Sequence, residues 1–252
     1  VKPLIVLAAG PGWLAIDKPD GLSVHNDPGG RIDVLSIAKE MLAEDEQLRA
    51  ACRWQTHSRL SPAHRLDRET SGVLILATDR DSASLIQTAF EKRPAGSVKR
   101  YRSIVRGEIT TTMGSWSHPL TDKAEGRRNP AGNPKDSKSC VTHWRRRRHN
   151  RHLSEIEVDL LSGRQHQIRR HAALAGHFVA GDTRYGEPRH ARIMERIYGV
   201  SRMLLHAEQI RLPIATSDGK TVLIEAMAPL PGEFDHVFKQ NVDDQDPSAL
   251  EK

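Results

Sequence analysis

Apolar side chains along this chain come in short runs, most of them closed off by Gly, Pro, Asp or Ser. The densest, Val73-Leu74-Ile75-Leu76-Ala77, follows a Ser-Gly break and predicts an interior strand. Trp13 to Val24 predicts a strand, a Pro/Gly turn and a second short extended piece. Tyr101 to Gly107 alternates like a strand. Val141 to Arg148 and Leu153 to Leu161 predict two strands joined at His149-Asn150, and Met203 to Ile210 and Thr221 to Met227 complete the set. Helical spacing occurs in three places. Ile32 to Arg49 carries Val34, Leu35, Ile37, Ala38, Met41 and Leu42 behind a potential N-cap, Asp33. Asp79-Arg80-Asp81 opens a helix through Leu85, Ile86, Ala89 and Phe90. Gln165 to Leu174 predicts a third, closed by Gly176 at C′. Residues 51 to 60 predict a loop, and Ser117 to Lys138, rich in Gly, Pro, Asn and charge, predicts a mobile one. Strands that often succeed each other directly predict an α+β fold with a mainly antiparallel mixed sheet flanked by helices and loops. No composition shift divides the chain, so one domain over 1–240 and a polar, disordered tail over 241–252 are expected.

Charge adds a partner to this picture. The net charge is +6 and the sequence pI about 9.5, which suits a polyanion. The excess is local: Cys140 to His171 holds eight arginines, including Arg145, Arg146, Arg147 and Arg148, against Glu155, Glu157 and Asp159. Two distant cysteines make neither a disulfide framework nor a closed zinc site, and the thirteen histidines include no His-Glu-x-x-His spacing. The apolar stretch from Leu4 to Ala9 is too short for a signal segment, and nothing reaches transmembrane length, so a cytoplasmic location is expected.

The candidate chemistry lies in His64-Arg65-Leu66-Asp67-Arg68-Glu69-Thr70-Ser71-Gly72, just ahead of the predicted interior strand. Rigid backbone at the mouth of a sheet can hold a reactive group, and the flanking Arg65 and Arg68 favour an ionised Asp67. Such a carboxylate can act as a covalent nucleophile or, more plainly, as a structural ion pair. Residue types alone leave both open.

The order of residues resembles the catalytic motif of the RluA-type pseudouridine synthases, in which the aspartate of His-Arg-Leu-Asp is essential. Three further segments are similar to that family, in the family's order. Ile16-Asp17-Lys18-Pro19-x-Gly-Leu-x-Val-His25 resembles its first motif, and Lys99-Arg100-Tyr101-x-x-x-Val105-x-Gly107 the segment with its active-site tyrosine. Its C-terminal set is matched by Leu161-Ser162-Gly163-Arg164-Gln165-His166-Gln167-Ile168-Arg169, by Gly181-Asp182-x-x-Tyr185-Gly186 and by Leu204-Leu205-His206-Ala207. Together these span roughly residues 12 to 230.

The resemblance implies a pseudouridine-synthase-like catalytic domain with Asp67, Tyr101 and Arg169 as its catalytic residues. Tyr101 would stack on the target uracil and later serve in proton removal from C5, and Arg169 would orient the Asp67 carboxylate. Arg65 would fill the space left by an extruded nucleotide, with His64 as a hydrogen-bonding brace. Arg68, Arg164, His166 and the run Arg145–Arg148 are further expected RNA contacts, the run alternatively being a solvated rim. Lys18 and Pro19 are expected to shape the cleft wall, and the Gly181-Asp182 turn to use its Asp on backbone groups.

The resulting expectation is a monomeric RNA uridine isomerase acting on structured tRNA or ribosomal RNA, with no cofactor, metal, membrane or protein partner. The alternative is an RNA-binding protein of the same fold without activity. A hydrolase with an aspartate nucleophile lacks the paired acid it would need. No S4-type RNA-binding module fits ahead of Trp13, so the chain resembles the stand-alone type. Because it begins at Val1 and not at Met, an N-terminal extension stays open.

Overall fold

The computed structural model describes residues 3–25, 32–160, 163–215 and 219–240. The expected tail over 241–252, and Leu161-Ser162 of the C-terminal motif, lie outside them. In chain order the elements are β1 (Ile5–Gly10), β2 (Trp13–Lys18), α1 (Val34–Glu44), α2 (Glu46–Ala51), β3 (Ser61–Pro62), β4 (Ser71–Ala77), α3 (Arg80–Lys92), β5 (Val98–Arg106) and β6 (Met113–Trp116). There follow β7 (Leu120–Thr121), a 3-10 turn (Pro134–Asp136), β8 (Ser137–Lys138), β9 (Thr142–His149), β10 (Leu153–Leu160), α4 (Gln167–Leu174), α5 (Pro188–Tyr198), β11 (Leu205–Ala215), β12 (Thr221–Met227) and α6 (Glu233–Lys239). Among the described residues no helix is long and apolar enough to cross a membrane.

Chain contacts divide the protein into two compact units, the first running to Lys99 and resuming at Ala207–Pro229, the second comprising Arg100–His206 and the chain from Leu230. In the first unit β4 is buried at every position and pairs antiparallel with β2 (Asp17 opposite Val73) and with β3 (Ser61 opposite Ala77). β1 adds to β2, and β12 to β11, again antiparallel. Val73, Ile75, Ile86, Ala89, Ile210, Leu212 and Ile224 share one core, so α3 lies on the sheet. Burial of each such large side chain contributes about 1.5–3 kcal/mol. Gly72 has φ +107°, and a Cβ there would stand 2.2 Å from the carbonyl oxygen of Ala207. Only glycine lets the backbone come that close.

The expected helix over 32–49 is broken in two. Asp45 adopts extended backbone and its Oδ1 accepts from Leu48 N–H at 2.9 Å, ending α1 and capping α2. Aspartate competes with the helix for backbone donors, which periodicity alone does not register.

The second unit orders its strands β5-β10-β9-β6. Ile104, Leu153, Ala180, Met194, Leu204, Phe234 and Val237 form its core, burying faces of α5 and α6. The third expected helix starts at Gln167, two residues late, and Gly176 takes φ +79° just past its end. The stretch from Ser117 to Lys138 is not the unstructured loop its composition predicts. β7 and β8 pair within it, and Arg170, fully buried, donates to the carbonyls of Thr121, Pro130 and Ala131 and to Thr121 Oγ1. A guanidinium offers five donors, and here they fasten a loop that has little apolar content of its own.

Candidate active site

Asp67 sits in the loop between β3 and β4, partly exposed, next to buried Leu66. The Thr70 N–H donates to the Asp67 carbonyl at 3.1 Å and closes a turn. Lys18, fully buried at the end of β2, donates from Nζ to the carbonyls of Pro19 (2.7 Å), Leu22 (2.9 Å) and Arg68 (3.0 Å). One ammonium thus ties the Pro/Gly turn to the Asp67 loop. Arg68 reinforces the same junction, donating from Nε to the Gly21 carbonyl at 2.9 Å. Arg65 is exposed.

His64 behaves as a brace. Its Nε2 accepts the Ile75 N–H at 3.1 Å, which requires that nitrogen to be unprotonated. Burial and the nearby Lys99 charge hold its pKa well below the usual value, consistent with the neutral form. Lys99, of the tyrosine motif, belongs to this cluster. Its Nζ stands 5.6 Å from the centroid of Phe90, whose ring also lies 5.0 Å from that of His64. Burial and Arg93 push the Lys99 ammonium down to about 8, against the opposing pull of the Asp67 carboxylate. Asp67 therefore has a cation acting on it that is not one of its sequence neighbours.

The second unit holds the other expected residues. Tyr101 is buried on β5, opposite Val158 of β10. Arg169 is buried on α4, and its described partner is Asp182: Nε donates to Oδ2 at 2.7 Å and Nη2 to Oδ1 at 2.9 Å. Asp182 also accepts the N–H groups of Arg184 (2.8 Å) and Tyr185 (3.0 Å), so it meets its expected backbone role and a second one besides. The Arg169 guanidinium lies 5.3 Å from the Tyr185 ring, and the Tyr185 hydroxyl meets His166 Nδ1 at 2.9 Å. His166 itself has φ 54°, an unusual left-handed backbone at the start of α4. Arg164 pairs with Asp122. Gln167 donates to the Val141 carbonyl at 3.0 Å, and His171 Nδ1 meets Thr142 Oγ1 at 2.8 Å. The segment from Arg164 to His171 thus serves largely to hold α4 against its neighbours.

The four arginines of β9 are not equivalent. Arg146 donates to the carbonyls of Ile109 (2.8 Å) and Thr110 (2.9 Å), while Arg148 engages Glu155, Asp235 and the Phe234 carbonyl. Arg145 and Arg147 are exposed. Nor is β9 wholly a rim, because β6 covers Thr142–Arg145.

Residues 12–174 match the family model for RNA pseudouridylate synthase. This chain belongs to that family. It is 32% identical over 234 residues to the ribosomal large subunit pseudouridine synthase C of Buchnera aphidicola, covering 90% of this chain and 66% of that one. It is 29% identical over 214 residues to the tRNA pseudouridine synthase C of Pectobacterium carotovorum, covering 79% of this chain but only 52% of that protein's length. Among solved structures it is similar to human RNA Pseudouridylate Synthase Domain Containing 4, with TM-score 0.71, 22% identity, and 94% and 92% of the two chains covered. Human RNA Pseudouridylate Synthase Domain Containing 1 gives TM-score 0.62 at 21% identity, with 95% and 96% covered. At those identities the likeness is one of fold, and the mainly antiparallel, helix-flanked sheet is that of pseudouridine synthases.

Proposed function

We propose that this member of the RNA pseudouridylate synthase family isomerises uridine to pseudouridine in tRNA or ribosomal RNA, with Asp67 as the essential carboxylate. The observation that carries this is the fastening of the Asp67 loop. Leu66, the Thr70 turn and the three Lys18 bonds hold one partly exposed carboxylate on rigid backbone, inside the segment matched to the family. Preorganisation of that kind suits a reacting group better than a surface ion pair.

The reaction breaks the bond between N1 and C1′, turns the base, and joins C5 to C1′. The C5 proton leaves and N1 gains one, so nothing is oxidised and no nucleotide is consumed. Asp67 acts as nucleophile on the base or sugar, or as base on a sugar proton. Tyr101 is assigned stacking on the uracil and removal of the C5 proton, and Arg169 the role of supporting cation, both on motif position. Arg65, exposed beside Asp67, is assigned to the space vacated by the extruded nucleotide. The relatives' names include both a tRNA and a ribosomal RNA enzyme, and the proposal keeps both classes.

Tritium release from RNA labelled at uridine C5 tests the activity. Release above background by the wild-type protein supports it; binding of the RNA without release would make the chain an inactive RNA-binding relative. Mapping pseudouridines lost from total RNA in a deletion strain identifies the substrate.

A further inference from the structure

In the second unit, β5, β10 and β9 lie side by side, and the ladder register sorts their side chains onto two faces. Residues directly opposite in an antiparallel ladder share a face, and successive residues alternate. Tyr101, Val158 and Trp144 are opposite one another and share one face. Arg100, Asp159 and His143 share the other, as do Arg102, Glu157 and Arg145. Adjacent residues of the tyrosine motif, Arg100 and Tyr101, therefore serve opposite sides of the sheet.

Strict alternation would split the four consecutive arginines of β9 two and two. A register shift between Glu155 and Ile156 prevents this: Arg146 stands opposite Ile156 and Arg148 opposite Glu155, leaving Arg147 as the extra residue. Such a bulge re-aims side chains. Arg147 reaches Glu157 (3.6 Å) and Arg148 reaches Glu155, both on the face that carries Arg145, while Arg146 alone turns to the Ile109 and Thr110 carbonyls. Three of the four guanidiniums are thereby gathered on the face opposite Tyr101.

On that face is an open groove of about 690 Å³ whose lining includes Arg100, Arg145, Arg147, His143 and exposed Met113. Its two carboxylates are already engaged, Glu157 by Arg100 (3.5 Å) and Arg147, and Asp159 by Arg100 (3.3 Å). Among the described residues no carboxylate lies within ion-pair reach of Arg145. The outward balance is cationic, with planar, multidentate donors suited to phosphate.

We infer that this groove is a second RNA site, holding the sugar–phosphate backbone of a segment other than the one that contains the target uridine. The inference rests on the proposed placement of the target base at Tyr101. One nucleotide cannot touch both faces of a sheet, so a chain engaged at Tyr101 reaches the groove only through nucleotides further along the fold of the RNA. Alternation by itself puts Arg145 and Arg147 on the groove face, and the bulge adds Arg148, which without it would face the same way as Tyr101.

The test compares wild type with the Arg145→Gln/Arg147→Gln double variant in binding bulk tRNA and a twelve-residue oligouridylate across a KCl series. For tRNA the log–log salt slope is expected to fall by roughly 1.4 to 1.8, two phosphate contacts at about 0.7–0.9 each. Oligouridylate binding is expected to stay at wild-type strength, and Arg145→Lys/Arg147→Lys to restore the tRNA slope, since lysine keeps the charge. An unchanged tRNA slope overturns the site, and leaves the groove to a protein or to no partner. Equal weakening for both RNAs overturns the separate-segment reading. Tritium release by wild type is scored in parallel: if it is absent while the slope still falls, the isomerase reading fails and the RNA groove stands.

Discussion

Asp182 grips the buried guanidinium of Arg169 with both carboxylate oxygens, at 2.7 and 2.9 Å, while also capping the turn through Arg184 and Tyr185. Removing one member of such a pair strands the other charge in the protein interior. Asp182→Ala is expected to destabilise the fold by about 3–5 kcal/mol. Urea denaturation monitored by circular dichroism measures this, and a loss below about 1 kcal/mol would show that Arg169 finds another acceptor.

Asp67→Asn keeps the shape of the side chain and removes its charge and nucleophilicity. Tritium release is expected to vanish while RNA affinity stays within about threefold, a change of less than about 1 kcal/mol. Turnover within tenfold of wild type would remove Asp67 from the chemistry.

Tyr101→Phe preserves the ring and deletes the hydroxyl. The variant is expected to bind RNA normally and to stall before the C5 proton leaves, so single-turnover tritium release slows by about 10²-fold or more. Release at the wild-type rate would confine Tyr101 to packing on β5.

Lys99 supplies the pH dependence. Its ammonium is charged below about 8 and neutral above, so raising the pH through that value withdraws a cation acting on Asp67. Isomerisation at saturating RNA is expected to decline with a midpoint near 8, and Lys99→Arg, charged throughout, to lose that limb. Among the described residues, His64, Arg93 and Asp67 interact electrostatically with Lys99, and His64 is held neutral across this range. A limb that persists in Lys99→Arg would assign it to another group.

Most of the strand set was legible along the chain. Val73–Ala77 reads as interior because five consecutive apolar positions leave no polar face, and burial agrees; the strand also extends back over Ser71 and Gly72, which read as a break. α3 was announced by Asp79, whose side chain accepts the Ser82 N–H at 2.8 Å as an N-cap should. β1, β6, α5 and α6 were missed. β1 and β6 are short with mixed patterns and form by pairing with β2 and β9, while the first turns of α5 and α6 carry no capping side chain, so those helices form because neighbouring elements bury one face of each.

The sequence by itself determined the family and singled out Asp67 as the candidate for the proposed chemistry, because these depend on residue order within short segments. Partnerships between distant segments were decided only by the tertiary structure. Arg169 with Asp182, Arg170 with the 121–131 loop, Lys18 with the Arg68 carbonyl and Lys99 with Asp67 all join side chains whose sequence separation says nothing of their distance. The division of Arg145–Arg148 was decided the same way. Four identical residues carry no signal of which will face a carbonyl, a carboxylate or open solvent; one extra residue in the β9–β10 ladder settles it, since strand register is a property of pairs of strands and not of either alone.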